Sequence, residues 1–528
     1  METTTSSTTT IVTPETALQA GLPWWNDRVF YEVFIRSFAD SDGDGIGDLR
    51  GAIERLDYLN DGDPATTADL GVTGIWLMPV FASPSYHGYD VVDYRVVEED
   101  YGSFEDLKEF VAAAQDRGIA VIVDLVVNHT SVKHPWFVAS AAGDPEYADW
   151  YLWSETRPTY AGPWGQTVWH RRGDRYYYGL FWEGMPDLNL ENPAVTAEMH
   201  DIARFWIEEV GVDGYRIDAA KHFIEDGERQ ENTTETLDWL RDFRSALPEG
   251  ILIVGEVWSP TQVAARYVPD SLDLVFEFDL AFATVQGVNG GDARLIGDTL
   301  MRVASSYPPG QFAVFLTNHD QERVMSQLGS SREKAQLAAT LLLTYPGVPF
   351  VYYGEEVGMT GRKPDPRLRT PMPWTGDLPG LGFTDGVPWE RPQPGFETAN
   401  VASQISDPGS LLSRYRDLIR VRSESPALRY GDIYVLETGS RQVLGYLRSI
   451  GDDHVLVVAN LGALEDSGYV LSMPAGPLPM SPGVEVLIGP GGVVAPVVDD
   501  DGGFSGYRPL PVLPPRTSLV IRLPAAAA

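Results

Sequence analysis

The chain contains no cysteine. Disulfides, thiolate nucleophiles and cysteine-held zinc are therefore excluded, and redox compartment leaves no mark on the sequence. It also lacks any run of about 20 apolar residues, the length a membrane-spanning helix needs. The N-terminus, METTTSSTTT, has no apolar stretch of the signal-peptide kind. A cytoplasmic protein is therefore expected, with secretion after removal of a signal as the alternative. Basic residues are scarce: 39 Lys and Arg stand against 75 Asp and Glu, for a net charge of −36. Such a surface repels phosphate backbones and anionic lipid, so neither nucleic acid nor a membrane is expected as a partner. A neutral substrate would feel little of that field. Adaptation to salt or heat fits the same charge. No internal repeat is visible, and no feature specifies an oligomeric state.

Apolar bulk is present in quantity. Hydrophobic residues make up 43% of 528, enough for more than one core. Aromatics reach 11%, with 14 Trp. Most of these indoles are expected in cores, although a flat apolar face with a polar edge also suits stacking on a ligand ring. Residues 1–22 read as a flexible Thr/Ser-rich extension. From Trp24 onward, short apolar runs alternate with helical stretches. Strands are expected at 29–35, 74–80, 120–127, 214–218, 252–257, 274–278, 313–317 and 349–353, with helices at 104–117 and 193–209 among the intervening segments. The first of these helices opens at Ser103 with Asp106 three residues on, a capping-box pattern.

Eight strands separated by helices predict an α/β fold, a parallel (β/α)8 TIM barrel. More than 80 residues lie between the third and fourth strands, too many for a bare loop, so an inserted domain is expected there. It is rich in aromatics, among them Trp136, Trp150, Trp153, Trp164 and Trp182. Past residue 430 or so the pattern changes to alternating strands, at 433–436, 443–448, 454–459 and 518–523. That predicts a C-terminal antiparallel β-sandwich with the Pro/Gly-rich stretch 474–515 as loops. The expected division is 1–22 extension, 23–128 and 189–428 barrel, 129–188 insertion and 429–528 sandwich.

Active sites of such barrels lie at the C-terminal strand ends. Four of those ends are polar here. The third runs Asp124 to Asn128-His129, the fourth Arg216 to Asp218, the fifth ends at Glu256, and the seventh runs Asn318-His319-Asp320. Burying several carboxylates together is costly unless their chemistry is used. Converging acids with cationic and imidazole neighbours suit glycoside cleavage, in which one carboxylate attacks and a protonated one donates. Arg216 and Asp218, two apart on a strand, face the same side. The guanidinium is expected to keep Asp218 ionised and so nucleophilic. Glu256, flanked by Val257 and Trp258, is expected to have a raised pKa suited to an acid/base.

The segments DLVVNH, GYRIDAAKH, GEVW and FLTNHD resemble, in order, the four signature regions of glycoside hydrolase family 13, the α-amylase superfamily. The resemblance covers about 24–460. It implies Asp218 as nucleophile, Glu256 as acid/base and Asp320 as transition-state stabiliser. It implies that His129, Arg216 and His319 grip the sugar at the cleaved bond, with Tyr89 and His87 of SYHGYD as platform and neighbour. Asp124 and Asn128 take supporting roles, and the insertion and sandwich correspond to the family's domains B and C. MPDLN at Met185–Asn189 is similar to the group between oligo-1,6-glucosidases and neopullulanases. Ala219 after the nucleophile is of the small type that goes with α-1,4 cleavage. Lys221-His222 resembles a leaving-group-side pair of amylases, with a solvated rim pair as the plainer reading.

An α-1,4-glucan hydrolase acting on starch and maltooligosaccharides is therefore expected, through a covalent glucosyl-enzyme. FADSDGDGIGDLRG and RLRTPMPW are more similar to α-glucosidases and trehalose synthases, although Pro373 departs from the common RTPMQW. An exo-acting or glucosyl-transferring enzyme is thus the alternative. A non-catalytic binding relative is disfavoured, because Asp218, Glu256 and Asp320 are all present.

One further motif lies outside these regions. Asp40, Asp42, Asp44 and Asp48 stand in a run of Asp and Gly with acids at alternate positions, a spacing that wraps a hard cation. The twelfth position is Gly51, and the run follows a strand, which excludes an EF-hand. The loop resembles the calcium site after the first barrel strand in many family members. That likeness implies one structural Ca2+ held by Asp40, Asp42, Asp44, Asp48 and the Ile46 carbonyl. An Asp/Gly turn without metal is the alternative.

Overall fold

A computed structural model describes residues 22–525. The expected extension, apart from Leu22, lies outside the described residues. Eight parallel strands form the central sheet: β1 Phe30–Val33, β2 Gly74–Leu77, β3 Ala120–Leu125, β4 Gly214–Ile217, β5 Leu252–Gly255, β6 Leu274–Val275, β7 Ala313–Val314 and β8 Val348–Tyr352. They pair in sequence order, β1 also pairs with β8, and β7 pairs with β8. A parallel bridge from Phe276 to Ala313 joins the two remaining edges and closes the barrel.

The alternation of side chains explains why the strands are apolar on both faces. One set, including Tyr31, Ile75, Val121, Tyr215 and Val351, belongs to the large core that includes the surrounding helices. The other set points inward. At the lower level Phe30, Ile122, Val254, Phe276 and Phe350 fill the barrel, with Phe30 and Phe350 stacked at 4.6 Å. Gly74 leaves the room they need, since a Cβ there would stand 2.5 Å from the Phe30 ring. One pleat higher the inward positions change character to Glu32, Asp124 and Arg216. The site is this upper layer of the barrel.

Seven of the eight strands are shorter than expected, mainly at their C-terminal ends, where the chain leaves the ladder, and the eighth keeps its length but shifts by one residue. The expected sixth strand stops at Val275, and Phe278 instead opens the helix Phe278–Gly290. The helix Phe104–Asp116 carries a complete capping box between Ser103 and Asp106, and the next expected helix spans Pro193–Glu209.

Between β3 and β4, a three-stranded antiparallel sheet of Trp153–Ser154, Trp169–Arg172 and Arg175–Tyr178 stands beside the barrel mouth. Bridges His129 to Asp187 and Tyr151 to Leu188 tie its base together. The C-terminal part holds a five-stranded antiparallel sheet and a two-stranded one. Leu447, Leu456 and Ile521 from the first pack with Leu471, Phe504 and Tyr507 from the second. The stretch expected to be loops in fact contributes the strands Glu485–Ile488 and Phe504–Tyr507. Both are short and pair with distant partners, which Pro and Gly around them concealed. Among the described residues, no helix is long and apolar enough to cross a membrane.

Candidate active site

An open cleft of about 640 Å³ stands over the upper barrel layer. Asp218, Glu256 and Asp320 all line it, together with His87, Tyr89 and His129. Lys221 and His222 line it as well. Arg216 and His319 lie beneath this lining, fully buried.

Arg216 organises the floor. Its Nη1 donates to Asp218 at 2.6 Å and to both oxygens of Asp124 at 3.0 and 3.1 Å, while Nη2 donates to Glu256 at 2.7 Å. The guanidinium lies over the rings of Trp76 and Tyr89. Burial works against its charge, but the surrounding acids outweigh burial and keep it protonated. A fully buried arginine among three carboxylates is sustained by this matching of charge.

The acids separate by environment. Burial pushes Glu256 up to about 7, assisted by the charges of Asp218 and Asp320 and opposed by Arg216. The raised direction was expected, but its cause differs. Trp258 leans away to stack on Phe278 at 4.7 Å, and Arg216 touches Glu256 directly. Asp218 is also raised by burial; Arg216, expected to keep it ionised, acts in that sense but does not outweigh burial. Asp320 behaves oppositely. Burial again favours its acid form, but the neighbouring His319 edge and the positive charges of Arg369 and Arg216 hold it at about 2. Arg369 Nη2 donates to Asp320 at 2.8 Å, and its Nε donates to the His319 carbonyl.

The imidazoles are already engaged. His129, expected to grip sugar, donates from Nε2 to the Tyr89 carbonyl at 3.1 Å, and burial lowers it to about 4. It braces Tyr89 in this structure. His87 accepts the Tyr89 amide hydrogen at Nδ1. His222 donates from Nδ1 to the Gln230 carbonyl, and burial holds it at about 4, hence neutral. Lys221 donates to Glu231 at 2.7 Å and to the Trp258 carbonyl at 2.8 Å, an anchored ammonium in place of a solvated rim charge. Tyr89 stacks on His319 and its hydroxyl reaches Asp124 at 3.0 Å. Asn128 donates to Asp187. Ala219 has φ of +50°, a left-handed backbone uncommon outside glycine, and its amide lies 3.3 Å from Glu256. Such strain is typical of groups held in place for chemistry.

Several lining residues were not picked out from the sequence. Trp164, Trp182 and Trp258 stand at the mouth with 60%, 49% and 43% of their surface exposed. Asp365 and Arg369, from the loop after β8, form another wall. Glu32 sits behind His319. A charged residue on an inward position of a buried strand is a legible signal for Glu32; the loop residues offered none.

In the acidic loop, oxygens of Asp40, Asp42 and Asp48 lie within 4.8 Å of one another. Asp44 is outside this trio and accepts the Ile46 amide hydrogen at 2.7 Å. Asp48 also caps the helix Leu49–Glu54.

The family model "Alpha amylase, catalytic domain" matches residues 32–431. The chain belongs to the α-amylase family of glycoside hydrolases, enzymes that act on glycosidic bonds. It is 39% identical over 460 residues to Alpha-amylase 3 of Dictyoglomus thermophilum, covering 84% of this chain and 87% of that one. It is 32% identical over 513 residues to the trehalose synthase of Pimelobacter sp., covering 83% and 87%. The solved α-amylase from H. orenii superposes with a TM-score of 0.82 at 39% identity, covering 94% of this chain and 99% of that one.

Proposed function

We propose that this family member hydrolyses α-1,4-glucosidic bonds of starch, maltodextrins and maltooligosaccharides with retention of configuration. The observation that carries the reading is the shared contact of Arg216 with Asp218 and Glu256, with Asp320 held apart by Arg369. Asp218 attacks the anomeric carbon while Glu256 delivers its proton to the leaving oxygen. The C–O bond breaks as a covalent glucosyl-enzyme forms. Glu256 then takes a proton from water, which attacks the same carbon and releases Asp218. With Glu256 near 7 it serves in both directions at neutral pH. Asp320, ionised and fixed by Arg369, faces the positive charge that develops on the sugar. Tyr89 supplies a ring face for that sugar, and His319 a hydrogen-bonding edge.

Internal cleavage is supported by the open mouth. Trp164, Trp182 and Trp258 expose broad ring faces near Lys221 and His222, a surface on which successive glucose units stack. The wall of Asp365 and Arg369 beside Asp320 favours a second reading, exo-action or glucosyl transfer, as does likeness to a trehalose synthase. The time course of products from soluble starch and from maltotetraose separates them. Mixed short oligosaccharides early in the reaction are expected. Glucose alone from chain ends, or a trehalose product, establishes the second reading instead.

We further propose one structural Ca2+ on the acidic loop. The donor set fits: three clustered carboxylates are hard oxygen ligands, with Asp44 and the Ile46 carbonyl as further oxygens nearby in the chain. The ion would cross-link the segment between β1 and the helix Leu49–Glu54, with no part in bond cleavage.

A further inference from the structure

We infer that Glu32, on β1, is a positioning residue that fixes His319 as an Nε2–H donor toward the sugar by hydrogen-bonding its Nδ1. This rests on the reading of His319 as a sugar ligand.

The argument follows the protons through one chain of contacts. Asp124 is fully buried, and the groups recorded on its oxygens among the described residues are donors: Arg216 at 3.0 and 3.1 Å and the Tyr89 hydroxyl at 3.0 Å. Asp124 thus has no acceptor for a proton of its own and takes the one Tyr89 hydroxyl hydrogen. That hydrogen is then not available to His319. Yet His319 Nε2 lies 2.7 Å from the same hydroxyl oxygen, so Nε2 must carry the hydrogen between them. The same nitrogen is 3.5 Å from Asp320, on the cleft side.

At the other edge of the ring, Nδ1 lies 2.5 Å from Glu32 Oε1. Both groups are buried, His319 completely and Glu32 to 2% exposure. Among the described residues, His319 is the ion-pairing partner of Glu32, and no Lys or Arg touches it. A separated ion pair in so dry a place is costly, so the neutral arrangement is favoured. Burial drives Glu32 well above and His319 well below their ordinary ranges. Glu32 then holds the proton and donates it to Nδ1, leaving Nε2–H as the donor, to the Tyr89 hydroxyl in this structure and toward the sugar once one is bound. A buried acid setting the tautomer of a working imidazole is an established device. Trp76 packs edge-on against His319 and Tyr89 stacks on it, so the ring has little freedom to turn.

The expected effect is on kcat more than KM, because hydrogen bonds to sugar hydroxyls strengthen in the transition state. Glu32→Leu removes the donor and should lower kcat on maltotetraose by about tenfold or more. Glu32→Gln offers an amide N–H to Nδ1 and should restore most of that loss. Nitrogen NMR of histidine-labelled protein, with His319→Ala to assign the signal, should show Nδ1 bare and Nε2 protonated in the wild type and in Glu32→Gln. Wild-type kcat in Glu32→Leu, or a bare Nε2 in the wild type, overturns the inference. Should Glu32→Leu not fold, the wild-type spectrum decides alone. If His319→Ala keeps full activity, the sugar-ligand reading fails first. If His319→Ala is impaired and a folded Glu32→Leu is not, this inference alone fails.

Discussion

The molecule gathers acids in two places and stabilises them in opposite ways. In the barrel mouth, Asp124, Asp218 and Glu256 surround one buried guanidinium. In the loop after β1, Asp40, Asp42 and Asp48 cluster with no cation side chain paired to them among the described residues; their carboxylates accept backbone N–H groups instead. The difference lies in solvent. Buried carboxylates need a resident counter-charge, and Glu256 answers burial with a pKa near 7. The loop acids stay near water, and Asp40 is held below its ordinary range because hydrogen bonds from Thr384 and backbone amides outweigh its partial burial. The first cluster suits the proton transfer proposed for it. In the second, the ionised form of Asp40 is favoured, as the proposed cation site requires.

The most severe test of that contrast is Asp218→Asn, which removes the proposed nucleophile and leaves its shape. Its kcat should fall by about 10⁴-fold or more while the fold persists, measured with starch and by circular dichroism. Glu256→Gln should cost about 10²- to 10⁴-fold. In the wild type, Glu256 must be protonated to act, so kcat/KM should decline as pH rises through about 7, and this alkaline limb should vanish in the Gln variant. Arg216→Met leaves the acids without their counter-charge. Stability should drop by about 3 kcal/mol or more at neutral pH, read by denaturant midpoint. Part of that loss should return on acidification, because raised folded-state pKa values favour the native state at lower pH.

The loop should give the smallest effect and no catalytic signature. Ca2+ at about 100 times Kd should stabilise the protein by about 2.7 kcal/mol, with chelator reversing it. Asp40→Asn with Asp42→Asn should abolish this response while kcat at moderate temperature stays unchanged. A calcium response that survives the double variant places the ion elsewhere.

Much of this was legible in the sequence, for physical reasons. Barrel strands are buried on both faces, so their apolar runs stand out; β4 differs from its expected span by one residue. The acids announced themselves because charge at the end of such a run is anomalous. What escaped notice depends on contacts between distant segments. Arg369 meets Asp320 across 49 positions, His129 meets the Tyr89 carbonyl across 40, and Glu32 meets His319 across 287. Local pattern carries no trace of such pairings. The Trp residues of the insertion were visible as a composition, but which of them face the cleft follows from the paths of the loops that carry Trp164 and Trp182. The strands Glu485–Ile488 and Phe504–Tyr507 are defined by their partners more than by their own residues.

The central claim is a covalent intermediate on Asp218, and one experiment addresses it directly. The protein is incubated with a fluorinated α-glucosyl fluoride that traps glucosyl-enzymes, then digested and analysed by mass spectrometry. One glucosyl adduct on the peptide bearing Asp218 is the predicted result. An adduct on Glu256 or Asp320, or full turnover with release of the inverted anomer and no adduct, would contradict the account.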